Sequence, residues 1–271
     1  MSEAQWTVRG SRESLRAVRP LIDAHASLRS VAVEEVPDLG QVEFLAGGVT
    51  GRLPEDLRLR RFAEAAAAVC KRQGPAGPIA LLAQWDERAH QAAEQAAQLL
   101  PRALFWPARI ITGRDLPAAL GIGVGAAVYF GHGHCGGWDG YWGIHAEALI
   151  STLTETAGAV FSLTCMANQR PPGRLSFHEE LVLSGFCASA FGSAGRTCHR
   201  RNRVLGLALC RAMQTNATVA DVVRNCQASW LSRVAYTIAG DPLASLSGSP
   251  RASERAAEIE RRFWPPISAA N

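Results

Sequence analysis

The sequence predicts an α/β fold, with a mainly parallel sheet and helices on both faces. Three observations carry this. Apolar runs of strand length alternate with segments of helical spacing through most of the chain. The runs "PIALLA", "GAAVYFG", "GAVFSLT" and "CASAFGS" are nearly continuous, as strands covered on both faces are. The chain has 271 residues, 48% hydrophobic and 19% charged, enough to bury a large core.

The elements follow in order. Ser11–Ala26 spaces Leu15, Val18, Leu21 and Ile22 as a helix behind a Ser cap. "SVAVEEV" and "QVEFLAGG" read as two strands forming a hairpin. Leu57–Arg72 is a helix with an Ala-rich face, residues 78–83 a buried strand, and residues 86–100 a helix stopped by Pro101. "ARIIT" (108–112) reads as a strand, Leu116–Leu120 as a helical turn, and "GAAVYFG" as a strand. Next come a helix over Ile144–Thr154, a strand at 158–164, a helix over Phe177–Ser184 and a strand at 187–193. Helices over 203–214 and 218–231 complete the list. We divide the chain into 1–77, a segment packed on the same domain, then a main domain at 78–250 and a tail at 251–271.

The bulk numbers set the function classes. A net charge of +4 is modest, and the dense basic cluster His199–Arg203 reads as a solvated loop, which disfavours nucleic acid as a partner. Seven cysteines, an odd number without a CxxC pair, together with no apolar signal core at the start, predict a reducing cytoplasm and free thiols. No apolar run reaches the roughly 18 residues a bilayer span needs, so no membrane partner is expected.

In parallel sheets chemistry sits at the carboxyl ends of strands. That rule selects three places: after Phe130, after Thr164 and after Phe191. The first carries His132-Gly133-His134-Cys135 on a glycine-rich turn, and the second carries Cys165 at the end of "VFSLT". A thiol near its ordinary pKa of about 8.5 is mostly protonated, and an imidazole on the neighbouring strand can take its proton. The 33 residues between His132 and Cys165 suit one adjacent-strand crossover. "GIGVG" (121–125) precedes a strand instead of following one, so it is not a dinucleotide fingerprint. "NQRPPGR" (168–174) reads as a surface loop, and Trp138 and Trp142 as cleft walls.

Tyr129, Gly131, His132, Gly133 and Trp138, then Cys165 and Asn168, then "AYTIAGDPLASL" (235–246), together resemble the gingipain-like family. This family lies within the caspase-like clan CD cysteine peptidases, with CHAT peptidases as near relatives. The likeness spans roughly residues 78–246. It implies a caspase-haemoglobinase-like three-layer sandwich and a Cys-His dyad, with His132 as general base and acid and Cys165 as nucleophile. It also implies an oxyanion hole from the N–H groups of Gly133 and Cys165. Asp139 and Glu147 are candidate acids for orienting the imidazole. Ser193, Ala194, Gly195 and Arg196 would line the substrate cleft, with Arg196 favouring an acidic residue before the scissile bond if it enters the pocket. The implied partner is a protein or peptide substrate, with no cofactor and no metal. The chain lacks the leader, propeptide-sized extension and adhesin region of secreted gingipains, so a regulated intracellular role, as in bacterial defence, is expected.

Two other readings compete. A zinc hydrolase would use His132, His134 and Cys135, with Asp139 as a further candidate ligand. However, His134 and Cys135 point to opposite faces of an extended chain. A catalytically silent adaptor would keep the scaffold for binding only, through the His199–Arg203 surface.

Overall fold

The computed structural model describes residues 6–100, 102–226 and 236–263. Ten strands form one sheet. In chain order they are β1 (Trp6–Gly10), β2 (Val31–Glu35), β3 (Gln41–Ala46), β4 (Val49–Pro54), β5 (Ile79–Ala83) and β6 (Leu104–Phe105). β7 (Ala126–Phe130) follows, and the short β8 (Gly133–His134), β9 (Gly137–Trp138) and β10 (Ile144–His145) form a separate three-stranded sheet. β11 (Ala157–Leu163), β12 (Cys187–Ser193) and β13 (Tyr236–Gly240) complete the large sheet, whose order is β2-β1-β3-β4-β13-β12-β11-β7-β5-β6.

One half of it is parallel: β12, β11, β7, β5 and β6 all run the same way. β5, β7, β11 and β12 are buried along their whole lengths. Their runs are continuous because helices cover both faces. α4 (Glu87–Leu99) and α9 (His199–Met213) pack together over β5, β7 and β11, while α3 (Leu59–Cys70) and α8 (Phe177–Leu183) pack over β12. Local signals set the helix starts. Asp86 accepts the Ala89 N–H at 3.1 Å, and Ser176 and Glu179 form a reciprocal capping box on α8.

The chain leaves β5 for β6 in one direction and β7 for β11 and β12 in the other. The order therefore reverses between β5 and β7, and a crevice opens at the strand ends there.

Several readings are corrected. The hairpin joins β3 to β4 through Gly47-Gly48, while β2 pairs parallel with β1. β1 and β4 had not been read as strands. Residues 108–112 form a turn; the strand there is β6 instead, and the pairing with β5 ends at the Ala108 N–H bond to the Ala83 carbonyl, 2.8 Å, where β5 itself ends. The helix over Ser11–Ala26 breaks at Val18, where Pro20 starts a second helix. The helix predicted over 144–154 shrinks to Ala146–Ile150. The predicted helix at 218–231 is observed as Val219–Asn225, and its end at 227–231 lies outside the described residues.

Candidate active site

Phe130 of β7 pairs with Leu163 of β11. His132 and Cys165 each stand two residues beyond that pair, so parallel register delivers both to one rim. Beyond the strands the two segments stay close. A Cβ on Gly133 would lie 2.7 Å from the Thr164 hydroxyl and 2.8 Å from the Gly137 carbonyl. Only glycine lets the turn after His132 pass so near the residue before Cys165.

His132 is exposed, and three groups fix its backbone. Its N–H donates to Gln84 Oε1 at 2.6 Å. Its carbonyl accepts from the Tyr129 hydroxyl at 2.9 Å and from the Asp139 N–H at 3.1 Å. Gln84 follows β5, so both neighbours of β7 contribute to the rim. Tyr129 is fully buried and stacks on Trp138, with ring centres 4.5 Å apart. Burial, the main influence on its hydroxyl, pushes the pKa far up, so the group stays a neutral donor.

The Asp139 N–H bond to His132 makes that rung of the β8–β9 hairpin a bonded one. Gly133, opposite Trp138, occupies the next rung. Antiparallel rungs alternate, which directs the Gly133 N–H away from the hairpin, as an oxyanion donor requires. The Asp139 carboxylate itself lies 3.7 Å from His134 Nε2, and Glu147 is exposed. His134 Nδ1 accepts the Gly136 N–H at 3.0 Å. Among the described residues no group of three or more His, Cys, Asp or Glu side chains is arranged to hold a metal ion.

Cys165 is half-buried, and Thr197 cradles its sulfur. The Thr197 N–H donates to Sγ at 3.3 Å, and the thiol is 3.4 Å from the Thr197 carbonyl. The next residue, Met166, has left-handed backbone (φ 57°), a conformation costing an L-residue about 1–2 kcal/mol. The Met166 N–H bond to the Gly195 carbonyl, 3.0 Å, secures that turn. The Asn168 N–H meets the Ser193 carbonyl at 2.9 Å. The third rim is thus tied to the cysteine turn through the acceptors of Ser193 and Gly195. Ala194 and Arg196 are exposed; Ala194 borders a cleft of about 430 Å³ lined also by Asn168, Arg170, Glu179, Tyr236 and Thr237. By contrast, burial pushes the Cys210 thiol up to about 12 and Cys187 higher still, so both are inert packing residues.

Two supporting groups escaped sequence reasoning. Trp138 Nε1 donates to Ser162 Oγ at 2.9 Å, and Ser162 meets His178 Nε2 at 2.7 Å. His178 is fully buried, and burial drops its pKa to about 3, so it is a neutral strut between β11 and α8. Asn202 of α9 donates to the Leu163 carbonyl at 3.0 Å and accepts from the Tyr236 hydroxyl at 2.5 Å. The rim rule applied to β5 would have found Gln84; Ser162, His178 and Asn202 carry no local signal.

The description "Peptidase family C25" matches residues 38–247. The chain belongs to this family. The match takes in β3 and β4, which the motif resemblance left out. Among solved structures, this C25 chain is similar to the Arg-specific cysteine proteinase gingipain R, with TM-score 0.57 and 14% identity over 70% of this chain and 53% of that one. A complex of Porphyromonas gingivalis RgpB pro- and mature domains gives TM-score 0.56 and 16% identity, over 69% and 53% of the two chains. A structure described only as a protease gives TM-score 0.65 and 10% identity, over 88% and 77%. The C25 chain spans about half the length of the gingipain chains it matches. Comparison with curated proteins gives no match. At these identities the structures speak for the caspase-like α/β fold alone, in agreement with the fold class read from the sequence.

Proposed function

We propose that this chain is a cysteine endopeptidase that uses Cys165 as nucleophile and His132 as general base and acid. The observation that carries the reading is the shared register: both side chains follow the Phe130–Leu163 pair by two residues on adjacent parallel strands. His132 removes the thiol proton, and the sulfur attacks the scissile carbonyl. The Gly133 and Cys165 N–H groups take the oxyanion, at about 3 kcal/mol of barrier each. His132 then protonates the leaving amine, the C–N bond breaks, and water hydrolyses the thioester.

In this reading the backbone anchors of Gln84, Tyr129 and Asp139 orient His132, while the Asp139 carboxylate serves His134. Ser193 to Arg196 flank the substrate. The Thr197 segment lies against the sulfur, and the proposal includes a regulated enzyme acting on a dedicated protein in the cytoplasm.

Cys165→Ala with an unchanged circular dichroism spectrum tests the proposal. Loss of all peptide hydrolysis, and of iodoacetamide labelling at that position, is expected. Hydrolysis that persists in the variant, or that EDTA abolishes, overturns it.

A further inference from the structure

Cys165 has a second cysteine at its own rim. Its sulfur rests on a single residue, Thr197, whose N–H lies at 3.3 Å, carbonyl at 3.4 Å and hydroxyl at 3.6 Å. The residue after Thr197 is Cys198, the one exposed cysteine of the chain. In a planar trans peptide the carbonyl oxygen and the next Cα lie on the same side, about 2.8 Å apart. The Cys198 Cα is therefore within roughly 6 Å of the Cys165 sulfur.

Two further observations bring the thiols together. The Tyr236 hydroxyl is bonded to Thr197 and lies within electrostatic reach of both Cys165 and Cys198. The turn that carries Cys198 also has room to move. Ala194, Arg196 and Cys198 are exposed, and Gly195 borders open space where a side chain would stand. Cys198 precedes α9 in extended backbone, and its side chain makes no capping bond to the helix. Bridged cysteines hold their Cα atoms about 4.4–6.8 Å apart. Rotation of the Cys198 side chain with a small shift of this turn meets that span.

We infer that Cys165 and Cys198 form a reversible disulfide when the protein meets a hydroperoxide, and that the bond locks the active site. The lock rests on the peptidase reading above; the bond does not. The Cys165 sulfur attacks one peroxide oxygen, the O–O bond breaks, and sulfenic acid and water result. The Cys198 sulfur then attacks the sulfenic sulfur. The S–S bond forms, the S–O bond breaks, and the hydroxyl leaves as water with the Cys198 proton. Two thiols thus give two electrons to one peroxide. Without Cys198 the sulfenic acid is left to further peroxide, which carries it to the irreversible sulfinic acid.

The test treats the full chain with hydrogen peroxide, blocks remaining thiols with iodoacetamide, and digests with trypsin without reductant. Trypsin frees Thr197–Arg200, which carries Cys198, and Asp115–Arg174, which carries Cys135 and Cys165. Mass spectrometry should find the two peptides joined. The link should vanish in Cys198→Ser and in Cys165→Ala and persist in Cys135→Ser. Native protein should lose peptide hydrolysis to peroxide and regain it with dithiothreitol. Cys198→Ser should hydrolyse peptide normally at first, then lose the activity for good. A Thr197–Arg200 peptide that stays free and alkylated while Cys165 oxidises overturns the bond. Recovery of Cys198→Ser with dithiothreitol, or a linked protein that still hydrolyses peptide, overturns the lock. A protein that forms the link but never hydrolyses peptide overturns the peptidase reading and supports the bond.

Discussion

The hydroxyl of Tyr129 donates to the His132 carbonyl at 2.9 Å and accepts the Gly140 N–H at 3.0 Å, from a fully buried ring. Tyr129→Phe leaves two backbone groups short of a partner. We expect a stability loss of about 1–3 kcal/mol in urea unfolding. The same variant should lower kcat more than it raises KM, because His132 loses its position and the substrate surfaces stay.

Gly133→Ala tests the close approach of the turns that carry His132 and Cys165. The added methyl would meet the Thr164 hydroxyl at 2.7 Å and the Gly137 carbonyl at 2.8 Å. The carbonyl is backbone and cannot rotate away, so the hairpin must move and carry its N–H off the oxyanion. A fall in kcat of about 10²–10³ is expected, with a folded protein by circular dichroism. Near-native turnover would mean that Gly133 supplies no oxyanion donor.

His25 and Asp241 form a fully buried pair, Nε2 to Oδ2 at 2.9 Å, with the Cys70 sulfur 3.4 Å from Nδ1. Burial lowers the imidazole pKa, and Asp241 with Cys70 more than reverses this, holding it at about 9. An unfolded histidine titrates near 6.5. The folded state therefore gains stability that is complete below about pH 6.5 and is lost as pH rises through about 9, amounting to ~3 kcal/mol. Urea unfolding across that window should show the decline, and Asp241→Asn should be weaker at neutral pH yet lack the alkaline slope.

Asn202→Ala removes the bridge from α9 to the end of the cysteine strand. It strands the buried Leu163 carbonyl and removes one partner of the Tyr236 hydroxyl. A cost of about 1–3 kcal/mol is expected, together with slower iodoacetamide labelling of Cys165 as its turn loses register. Native labelling would show that the Met166–Gly195 bond holds the turn unaided.

Much of this architecture was legible because parallel strands write themselves as unbroken apolar runs. "GAAVYFG" and "GAVFSLT" announced β7 and β11, and the rule about strand ends then pointed to His132 and Cys165. β1 and β4 were missed for the opposite reason. β1 alternates buried and half-buried residues over only five positions, and β4 carries Gly51 and Arg52 in mid-strand, so neither contrasts with a loop. Asp139 illustrates a further boundary. Chain proximity suggested a carboxylate on His132, but the hairpin turns that side chain to His134 and offers His132 its N–H instead. Partners such as His178 and Asn202 come from far along the chain or from the opposite layer, and no spacing reveals them.

β4 meets β13 through the pairs Ile238–Gly51 and Ala239–Arg52 alone, whereas β13 meets β12 along its full length. The first four strands thus close off what would otherwise be a bare border of the remaining sheet, and the His25–Asp241 pair rivets them there. Trimming the chain ahead of β5 would unzip that short seam and offer the free amides of β13 to any passing copy. Self-association, rather than simple unfolding, is the damage such a fragment should show.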